Sequence, residues 1–258
     1  MQRNFMLKQG TILANLFKLI LPRAEKHSVT DLRIGPGYAG VMLDNGDMGM
    51  AAVLHDSLPQ GCMVLPAAGN FAGSLAKDIL QYLIAGKNSV ETAIGLACAN
   101  ALIRPPAKVV DDREATTYLD LQKNVKVAMV GLFSPLVARI RDTGAELTII
   151  ERNSARMEIL SDKEKKKALK ACHVAIITAT TLLNSTFEET LSLLGKPRAV
   201  AVMGPSTPLL PAIFHDTPVT HLGGAIVANP NRVLQIISEG GGTPAIRPYL
   251  RFVNIIRK

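Results

Sequence analysis

The chain of 258 residues has no tryptophan and only 4% aromatic residues. Its cores must therefore rest on Ile, Leu, Val, Met and Ala, and no aromatic series is available for stacking nucleic-acid bases. Cysteine is also scarce. Cys62, Cys98 and Cys172 are an odd number of thiols, widely spaced and without a C-x-x-C pair, which excludes a disulfide framework and a thiolate metal clip. The five histidines, His27, His55, His173, His215 and His221, make no H-x-H or H-x-x-x-H pair. Neither G-x-S-x-G nor a placeable Ser-His-Asp or Cys-His arrangement occurs. No apolar run reaches the roughly 18 residues of a membrane span. The opening stretch, MQRNFMLKQGTILANLFKLILPRAEKH, mixes apolar and basic residues. Lys18 interrupts its best apolar run and no A-x-A cleavage site follows, so it reads as a helix and not as an export signal. A cytoplasmic location is the default.

What is present is enough for a folded protein. Apolar residues make up 48% and charged residues 19%, and the length allows one large or two small domains. Twenty-nine Lys and Arg against 21 Asp and Glu give a net charge of +8, which invites an acidic partner. The basic residues are scattered apart from Lys163–Lys170. That cluster lies in DKEKKKALK, the pattern of a solvated helix face. With no recognition motif beside it, nucleic acid is disfavoured as a partner. A homo-oligomer is left open.

The chain divides into two halves of different class. The first half carries a helix at 5–21, then three strands at Val29–Ile34, Tyr38–Leu43 and Met48–Val53, with the Asn45-Gly46 hairpin signal between the last two. Two helices follow, one within Gly69–Ile84 and one capped by Ser89, whose apolar stripe includes Cys98 as a core residue. Prolines and charges without periodicity fill 104–121, the expected linker between domains at 1–103 and 122–258. The second half alternates: strands at Val125–Val130, Leu147–Ile150, Val174–Thr178, Ala199–Met203 and Val219–Val227, helices between them, and a basic C-terminal helix at Pro248–Ile256. The expectation is a small α+β domain followed by an α/β domain with an open, mostly parallel sheet.

Parallel sheets place ligands beyond the carboxyl ends of their strands. VAIITATTLLNST, at 174–186, is the sharpest example: a doubly buried strand that ends among Thr178, Thr180, Thr181, Asn184, Ser185 and Thr186. The first strand of this half ends at Gly131, where a dinucleotide-binding loop would start. GLFSPL replaces the G-x-G-x-x-G fingerprint there, and Leu132 and Phe133 would obstruct a pyrophosphate. Glu151, 20 residues further on, stands where an acidic residue would take a ribose hydroxyl, or is simply a solvated strand-end carboxylate. Gly204, Ser206 and Thr207 of GPSTP could cradle an anion or form a plain turn. Gly240, Gly241, Gly242 and Thr243 of EGGGT offer unobstructed amides or a hinge. His215 and His221 flank a short turn, and Cys172 and His173 point to opposite faces, which disfavours joint metal binding.

TATTLLNST, MGPSTPLLP and SEGGGT, in that order after VGLFSP and IIERN, resemble a family of two-domain prokaryotic proteins of uncertain function, described by heavy-metal chelation. The hairpin YAGVMLDNGDMGMA is similar to that family's N-terminal segment. The resemblance implies an enolase-N-terminal-like domain, a Rossmann-like domain, a site in the cleft between them, and links to metal uptake or corrinoid metabolism. Thr181, Asn184, Gly204, Ser206, Thr207 and Gly240–Gly242 would line that site. A soft metal prefers thiolates or imidazoles, and these motifs supply hydroxyls, an amide and backbone N–H groups instead. The expected ligand is therefore a small anion, an anionic metabolite or a metal already held by an organic chelator. A bare metal ion fits less well. The alternatives are an enzyme with a nucleotide-like cosubstrate held through Glu151, and a binding module without turnover. An acid–base role would fall to Asp44, Asp47, His55 or Asp56, if one of them reaches the cleft.

Overall fold

The computed structural model describes residues 11–54, 64–105 and 115–257. In the first domain, helix α1 spans Ile12–Ala24 and is capped by Thr11, whose hydroxyl accepts from the Ala14 amide. The part of the expected helix at 5–10 lies outside the described residues. Strands β1 (Val29–Ile34), β2 (Tyr38–Leu43) and β3 (Met48–Ala52) form an antiparallel meander in that order. The Asn45-Gly46 turn joins β2 to β3, with Gly46 at φ 82°, the left-handed region such a turn demands.

In place of the single helix expected within Gly69–Ile84 there are two short ones, α2 (Ala76–Leu80) and α3 (Tyr82–Ala85), meeting at Gln81. Helix α4 (Ser89–Leu102) is capped by Asn88 and not by Ser89. The Asn88 side-chain oxygen accepts from both the Val90 and Glu91 amides at 3.0 Å, satisfying two of the helix's orphan donors. Almost every α4 residue is buried. It runs through the middle of the domain, so its apolar stripe widens to nearly the whole circumference.

The second domain is a six-stranded sheet in the order β5-β4-β6-β7-β8-β9. Its strands are β4 (Lys126–Val130), β5 (Glu146–Ile150), β6 (Val174–Thr178), β7 (Ala199–Met203), β8 (His221–Val227) and β9 (Leu250–Ile256), connected by helices α5 (Ser134–Asp142), α6 (Asp162–Ala171), α7 (Phe187–Ser192), α8 (Pro230–Ser238) and α9 (Thr243–Ile246). The first five strands are parallel and follow the doubly wound order 2-1-3-4-5. Strand β6 is fully buried on both faces: Val174 and Ile176 enter one apolar cluster, Ala175 and Ile177 the other.

The expected C-terminal helix is instead strand β9, antiparallel to β8 over seven pairs. Phe252, Val253, Ile255 and Ile256 favour a pleated surface, and β9 pairs backbone groups that β8 would otherwise expose.

Apolar packing crosses the seam between the domains twice. One cluster runs from Leu16 and Ile20 of α1 to Ile177 and Val202 of the parallel sheet. The other joins Tyr38 and Met50 to Leu234 and Ile237 of α8. Residues 106–114 of the expected linker lie outside the described residues, while Leu119, 1% exposed, already packs with the parallel sheet.

Candidate functional site

The sheet order makes β4 and β6 neighbours, although the chain visits β5 between them. That reversal leaves a crevice beyond the carboxyl ends of the two strands. A cleft of about 660 Å³ occupies it. The first domain closes one side with Ala52, Val53 and Leu54.

The floor of the cleft is built by local geometry. Gly131 ends β4 at φ 85°, and a Cβ there would come within 2.7 Å of Thr178 Cγ2. Glycine therefore supplies both the turn and the room. Past β6 the chain winds into a short 3₁₀ turn, Ala179–Leu182. Thr178 and Thr180 share a hydroxyl–hydroxyl hydrogen bond of 3.0 Å. Thr181 is 4% exposed and donates to the Thr178 carbonyl at 2.7 Å. The Asn184 carbonyl oxygen accepts from the Thr186 hydroxyl at 2.6 Å. Its NH₂ group makes no hydrogen bond to another described residue, and Asn184 lines the cleft.

Glu151 is engaged by groups of the protein itself. It is 7% exposed. One carboxylate oxygen accepts from the Arg152 and Asn153 amides at 2.7 and 3.2 Å. The other accepts from the Leu132 amide at 3.1 Å and from Arg156 Nη1 at 2.9 Å. Burial pushes this carboxyl toward its neutral form, but the three amides and the Arg156 charge outweigh it and hold it below the usual glutamate value. Arg156 also donates to the Leu132 carbonyl at 3.0 Å. Glu151 thus fastens the two loops that follow β4 and β5.

The sequence reading missed the basic wall. Arg152, Arg156, Lys165 and Lys166 line the cleft. Arg156 pairs with Glu151 and Lys165 with Asp162, whereas Arg152 and Lys166 have no carboxylate partner among the described residues. The lysine cluster is solvated only in part, since α6 turns Lys165 and Lys166 to the site. The available signal was topological: a helix following a parallel strand starts at the strand's carboxyl edge, so its first turns face the crevice.

The residues of the other two polar loops do not line the cleft, although the Gly204–Thr207 turn abuts it through Ala52 and Phe133. Gly204 to Thr207 form a tight turn closed by a 3.0 Å bond from the Thr207 amide to the Gly204 carbonyl. The Ser206 hydroxyl accepts from the Ala52 amide at 2.8 Å, and Asn100 donates to the Ser206 carbonyl at 3.3 Å, so this turn is pinned to the first domain. Gly240, at φ 80°, ends α8. The Gly240 and Gly241 amides return to the carbonyls of Ile237 and Ile236 at 3.1 and 2.8 Å, the pattern of a Schellman C-cap. Gly242 leads into α9, and the Thr243 hydroxyl meets the Tyr38 hydroxyl at 2.6 Å.

The described residues bring no soft-metal ligand to the cleft. No cysteine or histidine among the described residues lines the cleft, and no group of three His, Cys, Asp or Glu residues among them could hold an ion. Cys98 is fully buried and donates to the Ala76 carbonyl at 3.4 Å. Burial pushes its thiol up to about 12. Cys172 is 4% exposed, and Cys62 lies outside the described residues. His215 pairs with Asp216, while His221 bonds Thr220 and the Tyr118 carbonyl, so the two do not form a pair. A bare heavy-metal ion does not fit these residues. Of the expected acid–base candidates, Asp44 pairs with His27 at 2.7 Å and Asp47 lines a different cavity. His55 and Asp56 lie outside the described residues. No described helix is long and apolar enough to cross a membrane.

Both domains have counterparts. A family model described as "putative heavy-metal chelation", DUF364, matches residues 114–256. A second with the same description, DUF4213, matches residues 17–103. No curated protein matches closely enough to count as a relative. Among solved structures, a protein of unknown function from the DUF364 family of Pyrococcus horikoshii superposes with a TM-score of 0.82 at 20% identity, over 95% of this chain and 100% of that one. Another, from Desulfitobacterium hafniense DCB-2, gives 0.79 at 22%, over 95% and 98%. At such identities the likeness speaks for the fold alone. The family match itself spans more than half of the sequence, and the chain belongs to DUF364, the family described as "putative heavy-metal chelation".

Proposed function

We propose that the cleft binds a small anionic metabolite or an anionic metal complex, and does not ligate a bare ion. One observation carries this reading. The described cleft residues combine strand-end hydroxyls, the free NH₂ of Asn184 and four cationic side chains, Arg152, Arg156, Lys165 and Lys166, against three carboxylates, Glu151, Asp162 and Glu189, of which the first two are paired, with no thiolate or imidazole among them. Hydrogen-bond donors and fixed positive charge suit carboxylate or phosphate oxygens. The shell of a bare soft metal needs thiolates or imidazoles, which the described cleft residues do not bring. A chelated metal already has its coordination satisfied, so the protein needs only to recognise the chelator's outer oxygens. The volume suits an organic ligand, within the usual range of about 300–1,000 Å³ for such pockets.

The test uses ferric citrate as an anionic complex and the chlorides of nickel, cobalt and zinc as bare ions, each in equilibrium dialysis with the purified protein. Saturable uptake of the complex, weakened at least tenfold by Asn184→Ala or Arg152→Ala, is the expected result. Stoichiometric tight binding of a bare ion that Asn184→Ala abolishes overturns the proposal.

The nucleotide-cosubstrate reading is favoured by the crevice's place in the sheet order. It must do without the ribose contact at Glu151, because both carboxylate oxygens already hold donors. Adenosine diphosphate serves as its probe. Displacement of ferric citrate by the nucleotide at micromolar concentration would favour that reading.

A further inference from the structure

The cleft changes character from one end to the other. Its cations all follow β5, the strand at the edge of the sheet: Arg152 and Arg156 in the loop after it, Lys165 and Lys166 on α6. Arg156 is engaged by Glu151 and Lys165 by Asp162, which leaves Arg152 and Lys166 for a guest. Two contacts locate an apolar wall at the other end. Strands β4 and β7 flank β6, so their carboxyl ends stand two strand spacings apart, roughly 10 Å. Phe133, from the loop after β4, still brings Cε1 to 3.9 Å from where a Cβ on Gly204, after β7, would stand. Its ring therefore reaches across the end of β6, away from β5. On the β7 side, Ser206 Oγ takes the Ala52 amide at 2.8 Å, which sets Ala52, Val53 and Leu54 of the first domain beside the same turn. Phe133 and these three residues all line the cleft.

The two ends are held at a fixed separation. Glu151 accepts from Arg156 Nη1 and from the Leu132 amide, and Arg156 Nη2 donates to the Leu132 carbonyl at 3.0 Å. The residue next to Phe133 is thus tied to the cationic loop through both its amide and its carbonyl. A site fixed in this way loses little order-related free energy on binding. Glu189, exposed on α7 and also part of the lining, has no cationic partner among the described residues and disfavours a second negative charge on its side.

We propose that the guest of the cleft is an amphipathic monoanion, a carboxylate that carries an aryl group. This rests on the reading of the cleft as an anion site and narrows it. The carboxylate meets Arg152 and Lys166 at the β5 end. The aryl body lies toward β7, against Phe133 and Leu54, where ring contact and apolar burial both favour it. A polyanion without an apolar body, such as citrate, uses only the first of these two ends.

Isothermal titration of the intact protein with 4-phenylbutyrate tests the proposal, with butyrate as the control lacking the ring and 4-phenylbutanol as the control lacking the charge. The expected result is one saturable site for phenylbutyrate, at least tenfold tighter than for either control and competitive with ferric citrate. Phe133→Ala should weaken phenylbutyrate at least fivefold and leave butyrate within about twofold, while Phe133→Leu should recover most of the loss. Arg152→Ala should weaken both carboxylates by a similar factor. Phenylbutyrate no tighter than butyrate, or indifferent to Phe133→Ala, in a protein that still binds ferric citrate would overturn this inference alone. Phenylbutanol as tight as phenylbutyrate would overturn it as well. Failure of both carboxylates and of ferric citrate to bind would remove the anion site itself, and this inference with it.

Discussion

TATTLLNST and EGGGT look alike on paper: short polar stretches, each following an apolar run. Their fates differ because of what precedes them. The first follows a parallel strand, whose carboxyl end faces a crevice created by the strand order. Its side chains bond among themselves and leave the Asn184 NH₂ over. The second follows helix α8, whose last carbonyls need donors. The Gly240 and Gly241 amides turn back to Ile237 and Ile236 and are taken. A glycine-rich run binds an anion only when the preceding element has not already claimed its N–H groups. The cleft side of the molecule is thus arranged for a guest, and the EGGGT side is a joint between domains.

The sharpest way to break this contrast is at the joint. A Cβ on Gly35 would sit 2.1 Å from the Ile237 carbonyl oxygen of α8, so backbone must move. Gly35→Ala should cost about 3 kcal/mol, a large effect for a single substitution, and lower the melting temperature by roughly 6–12 °C. Gly37→Ala, where the nearest atoms are at 3.6 Å, should be nearly neutral. Equal melting curves for the two variants would show that α8 does not hold the first domain.

Glu151 gives the next largest effect. Glu151→Gln should cost about 2 kcal/mol at pH 7, the scale of hydrogen bonds to a charged group. Arg156 adds little to that figure, because its side chain is 47% exposed. The folded carboxyl titrates below the usual value of 4.5, and the unfolded one titrates near it. Its stabilisation is therefore present above that value and drains away as pH falls through the lower, folded one. Urea titrations from pH 7 to pH 3 should show the gap between parent and Glu151→Gln closing on the acid side. A gap that stays constant would mean that the charge contributes nothing.

The thiols sharpen the same contrast chemically. At pH 8 Cys98 is held as a thiol, since burial raises it to about 12. Iodoacetamide should leave Cys98 unmodified in the native protein and alkylate it once urea unfolds the chain, as read by peptide mass spectrometry. Rapid native alkylation would put a reactive thiolate where the structure has only core.

Much of the fold was legible because its signals are local. Val29–Ile34, Tyr38–Leu43, Val174–Thr178 and Ala199–Met203 were readable to the residue, as apolar or mixed β-type runs closed by glycine, threonine or a turn signal. Segment 250–256 was not, since LRFVNII suits either a basic helix or an edge strand. Only the open edge of β8 decides between them. Asn88 outcompeted its neighbour Ser89 as a cap because its longer side chain reaches two amides. In the cleft, Gly131, Thr180, Thr181 and Asn184 could be named from position at strand ends. Lys165 and Lys166 could not, because which face of α6 meets the site depends on how the helix packs across the sheet, and Arg152 and Arg156 could not, because they sit in the irregular loop between β5 and α6. Ser206 carried the composition of a binding loop, yet its partner Ala52 is set by tertiary contact, whereas Gly240 closes its own helix through a local cap.

The smallest expected effect isolates the comparison best. Gly240 and Gly131 are both left-handed, at φ 80° and 85°, so alanine at either should cost roughly 1–2 kcal/mol of backbone strain. Gly131→Ala also drives a methyl into Thr178, at the floor of the cleft. Gly240→Ala meets nothing closer than Pro36 at 3.6 Å. Binding of ferric citrate should therefore fall several-fold in Gly131→Ala and stay unchanged in Gly240→Ala, while the melting temperature drops in both. A loss of binding in Gly240→Ala matching that in Gly131→Ala would place the glycine cap and the threonine turn in one site, and the distinction between guest-facing loop and joint would fail. Loss of stability in both with binding intact in both would leave the joint but move the guest away from β4 and β6.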